Sequence, residues 1–197
     1  TTPSEVVIAL LHDKRLIELN RERSDQGFSV GDIFLGRVKK IMPGLNAAFI
    51  DVGHEKDAFL HYLDLGPQIE SLVKFTNAAH NGSLSTHMLE GFKNEPDIVK
   101  TGKINRVVSN NQNILVQVMK EPISNKGPRL TADISLPGRY LVLIPFSDKI
   151  SISQKIRRQE ERDRLRTLVQ SIKPKNFGVI IRTVAENRSV AELDADM

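Results

Sequence analysis

The sequence predicts a β-rich α+β protein organised around a small closed barrel. Three observations carry this. Short β-branched and aromatic runs follow one another between residues 31 and 61, with turn residues between them. A glycine, Gly36, interrupts the first of these runs. Farther on, apolar residues take up helical spacing over 154–172 and a strand pattern returns at 177–181. Strand runs followed by helix patterns are the signature of an α+β chain.

The elements follow in order. Glu5 to Leu11 is apolar and β-branched, and Leu16 to Glu18 resumes the pattern after His12-Asp13-Lys14-Arg15, which predicts a β-hairpin. Ile33–Ile41, Ala47–Val52 and Asp57–His61 are short strands, divided by Pro43-Gly44 and by Gly53-His54-Glu55-Lys56. Gly36 within a strand marks a bulge or sharp curvature, as a small barrel requires. Ile114–Met119 is the next strand. The residues between His61 and Ile114 are less regular, and such a long connection is usually functional or mobile. Arg139–Ile144 is a buried-strand pattern stopped by Pro145. Gln154–Ile172 is an amphipathic helix, with Leu165, Leu168, Val169 and Ile172 on one face, Ser153 as a candidate cap and Pro174 at its end. Ser189-Val190-Ala191-Glu192 is a capping box that should open a last helix.

At 197 residues and 40% hydrophobic content the chain can bury a real core. It has no cysteine, which excludes disulfides and thiolate metal sites and fits a reducing compartment. No apolar run reaches the ~18 residues a membrane span needs. Thr1-Thr2-Pro3-Ser4 has no basic stretch leading into an apolar one, so no secretory signal is expected there. The net charge is +4, but Ser151–Arg182 holds nine Lys or Arg against three Asp or Glu, a local excess of +6. A concentrated basic stripe attracts polyanions; a solvated helix face, or a surface docking an acidic protein, has the same composition. The five histidines show no metal-ligand spacing and are expected to be structural or surface residues.

Phe49 and Phe59 fall on neighbouring short strands, close to Arg37, Lys39 and Lys40. Aromatic rings that stack bases, beside cations that follow phosphates, suit single-stranded RNA on a barrel face. The competing reading is that both phenylalanines are core, as phenylalanine usually is.

Three ordered runs carry a family resemblance: Gly31-Asp32-Ile33-Phe34-Leu35-Gly36-Arg37-Val38, Pro43 to Gly53 (PGLNAAFIDVG), and Ala58-Phe59-Leu60-His61. They resemble the opening of the OB-type, ribosomal S-one-type domain of the bacterial ribonuclease E/G family. Val6–Arg23 is similar to the segment that precedes it, part of a ribonuclease H-like subdomain. Asn125–Thr131, Gly138–Pro145 and Ile181-Arg182-Thr183 resemble the family's five-prime-sensor region. The resemblance implies a partial ribonuclease H-like segment over 1–30. It implies an OB-type RNA-binding barrel over 31–120, with a long insertion at 62–112 that receives no functional reading. It places a sensor region over 121–197.

For function the resemblance implies RNA contacts at Phe49, Phe59, Arg37 and Lys39. It implies recognition of a five-prime monophosphate by Gly127, Thr131, Arg182 and Thr183, in which a guanidinium binds the dianion bidentately and a hydroxyl and main-chain N–H groups complete the cradle. It implies a cytoplasmic, Mg²⁺-dependent, homo-oligomeric endoribonuclease of RNA processing and decay. The metal-binding aspartates would lie in a later domain, so these residues are expected to bind RNA without cutting it. The alternative is a non-catalytic OB-fold adaptor.

Overall fold

A computed structural model describes residues 5–23, 28–84, 89–123 and 125–197. Thr1–Ser4, where no secretory signal is expected, lie outside them. The chain opens with the expected hairpin, β1 (Glu5–His12) against β2 (Arg15–Arg23). Its turn residues Asp13 and Lys14 both take positive φ, the geometry whose twist matches paired strands.

The barrel comprises β3 (Ile33–Met42), β4 (Ala47–Asp51), β5 (Ala58–His61), β6 (Asn113–Lys120) and β7 (Arg129–Thr131). It closes in the order β3-β4-β5-β7-β6, with β5 and β7 parallel and the other pairs antiparallel. The closing strand β7 falls past residue 120, the expected end of the barrel. A strand of three residues is too short to show a periodicity in the sequence. The barrel is filled from alternate positions: Val38, Ala48, Ile50, Ala58, Leu60, Ile114, Val116 and Leu130 are buried. Gly36 also faces inward, and a Cβ there would meet Ile50 Cγ2 at 2.5 Å. The strand irregularity itself comes later, between Val38 and Lys40.

The insertion is more ordered than its composition indicates. It contains α1 (Ile69–His80), whose Ile69, Leu72 and Thr76 are buried. Ile69 and Leu72 enter the barrel's core together with Leu89, Ile104 and Val108. The insertion also reaches the second unit. Phe75 and Phe92 pack against Phe146, and the Asn176 side-chain amide donates to the carbonyls of Leu89 and Phe92. The connection therefore serves as packing between the barrel and the second unit.

The second unit is a four-stranded sheet in the order β10 (Ile150–Ile152), β11 (Phe177–Ile181), β9 (Leu141–Pro145), β8 (Leu136–Pro137). β10 and β11 are parallel and are joined by α2 (Gln159–Ile172). Leu165 and Val169 of α2 pack with Ile152, Val179, Ile181 and Leu193 in a separate core. α2 begins at Gln159 with no side-chain cap, so Ser153 does not cap it. The final helix α3 (Val190–Asp196) does begin with the capping box of Ser189 and Glu192. Among the described residues no helix is long and apolar enough to cross a membrane.

Candidate nucleic-acid interface

Because Ala48, Ile50, Ala58 and Leu60 point into the barrel, Phe49 and Phe59 point out of it. They are direct cross-strand partners, half-buried against each other in an edge-to-face pair with centroids 5.9 Å apart. The row continues. The His61 ring is inclined 30° to Phe59 with centroids 6.4 Å apart, and its Nδ1 accepts the Leu63 N–H at 3.1 Å. That bond leaves the proton of the neutral ring on Nε2. His61 thus belongs to the aromatic row, a place that histidine spacing alone does not give it. The sequence does hold the signal, since residues 59 and 61 share one face of a strand.

The cations around this row are partly committed. Arg37 is exposed and lies opposite Asp51 in the β3–β4 register. Lys39 Nζ donates to Asp57 Oδ1 at 2.7 Å, and that contact raises its pKa above the ordinary lysine value. Arg129, beside Phe59 in the β5–β7 register, makes a two-pronged contact with Asp64 at 2.8 and 3.1 Å.

The four residues expected to form one phosphate pocket divide between the two units. Gly127 backs onto the barrel, where a Cβ would stand 2.3 Å from the Asp57 carbonyl oxygen and 2.8 Å from that of Lys56. The Thr131 hydroxyl donates to the Asp64 carbonyl and accepts from the Asp133 N–H. Arg182 instead lies at the end of β11, where its Nη1 donates to the Gly138 carbonyl at 2.7 Å and its N–H donates to the Tyr140 carbonyl. The glycine beside Arg182 is therefore Gly138 and not the expected Gly127. Gly127 is small because backbone approaches backbone there. Changing it to Ala is expected to cost about 2 kcal/mol of stability through overpacking. Urea denaturation measures this; a loss below about 0.5 kcal/mol would show that the barrel accommodates the methyl group.

Around Arg182 the geometry is tight. Thr183 Oγ1 and Ser153 Oγ are 2.8 Å apart. The guanidinium groups of Arg139 and Arg188 lie over the Tyr140 ring at 5.2 and 5.4 Å. The Asp196 carboxylate receives the main-chain N–H groups of Arg139, Tyr140 and Leu141. Five of the nine cations of the basic stripe are paired within the fold: Arg158 with Glu186, Arg164 with Glu161, Arg166 with Asp163, Lys173 with Asp148 and Lys175 with Glu90.

No group of three His, Cys, Asp or Glu side chains that could hold a metal ion occurs among the described residues. The Asp196 carboxylate is already taken by main-chain donors.

A closed five-stranded barrel with an outward aromatic row defines an OB-type module, here joined to a mixed sheet with an arginine and a threonine at one strand end. The sequence comparisons agree with the resemblance read from the motifs. The ribonuclease E/G family model matches residues 135–197. The chain is 39% identical over 195 residues to ribonuclease G of Haemophilus influenzae, covering 99% of this chain and 36% of that protein. It is 40% identical over 191 residues to ribonuclease E of Synechocystis, covering 94% of this chain and 24% of that protein. It is 37% identical over 195 residues to ribonuclease G of Escherichia coli K12, covering 36% of that protein. The chain belongs to the ribonuclease E/G family, and it spans about a third or less of the length of these relatives.

Proposed function

We propose that this chain binds single-stranded RNA through the outer face of its barrel and reads the strand's five-prime end at Arg182 and Thr183. The observation that carries the first part is the half-exposed row of Phe49, Phe59 and His61 on one barrel face. An aromatic row on a barrel wall offers stacking surface to unpaired bases whatever their sequence. Arg37 and Lys39 lie on the adjoining strand, where they would follow the phosphates, Lys39 by exchanging Asp57 for a phosphate oxygen.

For the five-prime end, the reading uses Arg182, Thr183 and the turn at Gly138. Arg182 spends Nη1 on Gly138, and the rest of its fork can meet a phosphoryl group. Thr183 adds a hydroxyl. In the whole protein these sites would deliver RNA to a Mg²⁺-dependent endoribonuclease centre elsewhere in the polypeptide. It would act in RNA processing and decay in the cytoplasm, as a homo-oligomer.

One competition experiment tests both parts. Otherwise identical oligonucleotides carry a five-prime hydroxyl, monophosphate or triphosphate, and binding is measured with EDTA present. The monophosphate should win. Phe59→Ala should weaken all three by about 1–3 kcal/mol, the worth of a base stack. Arg182→Gln should abolish the preference and leave the hydroxyl strand as the reference. Equal binding of all three ends by the unaltered protein removes end-sensing and leaves the adaptor reading. Unchanged affinity in Phe59→Ala removes the aromatic row as the RNA face.

A further inference from the structure

Ser153 has no part in the binding scheme above, yet it is one of the most constrained side chains near Arg182. It follows directly on β10, and its main chain is held on both sides. Its N–H donates to the Ile181 carbonyl at 2.9 Å. Its carbonyl accepts from Arg162 Nη1 at 2.9 Å, and the same nitrogen reaches the Ile156 carbonyl at 3.0 Å. Arg162, one of the cations of α2, is thus spent on fixing this residue. The side chain is held as well. Ser153 Oγ accepts the Lys155 N–H at 3.3 Å and lies 2.8 Å from Thr183 Oγ1.

The chemistry of two hydroxyls in contact decides what this can do. Each carries one proton and can accept through two lone pairs. If Thr183 gives its proton to Ser153, it has only acceptors to offer a ligand. If Ser153 gives its proton to Thr183, the Thr183 proton is free to point outward. A terminal phosphoryl group presents only acceptor oxygens near neutral pH, so it can pair with Thr183 only in the second arrangement. Ser153 can adopt that arrangement: its Oγ accepts the Lys155 N–H through one lone pair, and its own proton is left to give to Thr183.

We propose that Ser153 is the positioning residue of the five-prime-phosphate site: it donates to Thr183 and so commits the Thr183 hydroxyl as a donor to the phosphoryl group. The pair thereby contributes to end discrimination, because an acceptor-only terminus fits the orientation that Ser153 enforces. This rests on the assignment of Arg182 and Thr183 to the terminal phosphate.

The test uses the full-length protein and the hydroxyl and monophosphate oligonucleotides, again with EDTA. Ser153→Ala should lower the ratio of monophosphate to hydroxyl affinity by about 3–10-fold, the worth of one ordinary hydrogen bond. Ser153→Thr, which keeps the hydroxyl, should restore the ratio. A merely structural fault would lower both affinities together and leave the ratio intact, which overturns the proposal. If Ser153→Ala does not fold, Ser153→Cys replaces it, since a thiol fills the space but donates weakly. A normal ratio in that variant likewise overturns the proposal. Arg182→Gln separates the two levels. Loss of preference in Arg182→Gln with a normal ratio in Ser153→Ala sinks the role of Ser153 alone. No change in Arg182→Gln sinks the phosphate site and this proposal with it.

Discussion

Replacing Asp196 with alanine is expected to cost about 4 kcal/mol of folding stability, from three charge-assisted hydrogen bonds of ~1.5–3 kcal/mol each with allowance for partial exposure. Its carboxylate accepts the N–H groups of Arg139, Tyr140 and Leu141 at 2.7, 2.8 and 2.9 Å. Three successive main-chain donors around one anion form a nest. This contact ties α3 to the start of β9. Gly138 leaves the room: a Cβ there would sit 2.6 Å from Asp196 Oδ2. Burial alone would raise the pKa of Asp196, but the three N–H donors and the nearby Arg182 bring it below its ordinary value. The stabilisation is therefore full above the ordinary carboxylate range and declines as acid protonates the group. Urea denaturation at neutral pH gives the loss directly. Gly138→Ala should be costly in the unaltered protein and much cheaper once Asp196 is replaced by alanine, because both changes act on one contact. Additive costs, or a loss under about 0.5 kcal/mol for Asp196→Ala, would sink this account.

The parts of the fold that are legible in the sequence are those whose signal is local. The hairpin, the first three barrel strands, β6, β11 and the capping box of α3 each declare themselves within a few residues. α1 is equally local, with Ile69, Leu72, Val73 and Thr76 at helical spacing, but its polar surroundings mask it. The illegible parts depend on partners far off in sequence. β7 is recognisable only by the strands it closes between. The charge count of the basic stripe does not show its partners from elsewhere in the chain: Asp148, Glu90 and Glu186, all outside the counted segment, pair with Lys173, Lys175 and Arg158 and halve the local excess. Gly127 and Gly138 look alike in sequence. Only the fold shows that one abuts the Asp57 carbonyl and the other receives Arg182. Ser153 reads as a helix cap because serine before a helix usually is one, whereas here it turns to Thr183.

Glu161 should make the stability of the second unit depend on acid. Its side chain is 8% exposed and accepts Arg164 Nε and Nη2 at 2.7 and 2.8 Å and the Asn187 N–H at 2.7 Å. Arg164 in turn reaches the Arg188 carbonyl, so one carboxylate anchors the turn after β11 to α2. The Arg164 contact, reinforced by the Asn187 N–H, overcomes the burial cost and holds the Glu161 pKa at about 2, below the ordinary 4.5. A depressed folded-state value means that the stabilisation is fully present above pH 4.5 and is lost as the pH falls through about 2. Glu161→Gln keeps the shape and removes the charge. It should lower stability at neutral pH by about 3 kcal/mol, the upper figure that a shift of this size allows at ~1.4 kcal/mol per unit. The gap between the two proteins should then narrow across pH 4.5 to 2, because the unaltered protein loses the same charge. Urea denaturation of both at several pH values in that range provides the check. A gap that stays constant with pH would mean that the substituted amide destabilises through packing, and that the Glu161–Arg164 pair contributes nothing as an ion pair.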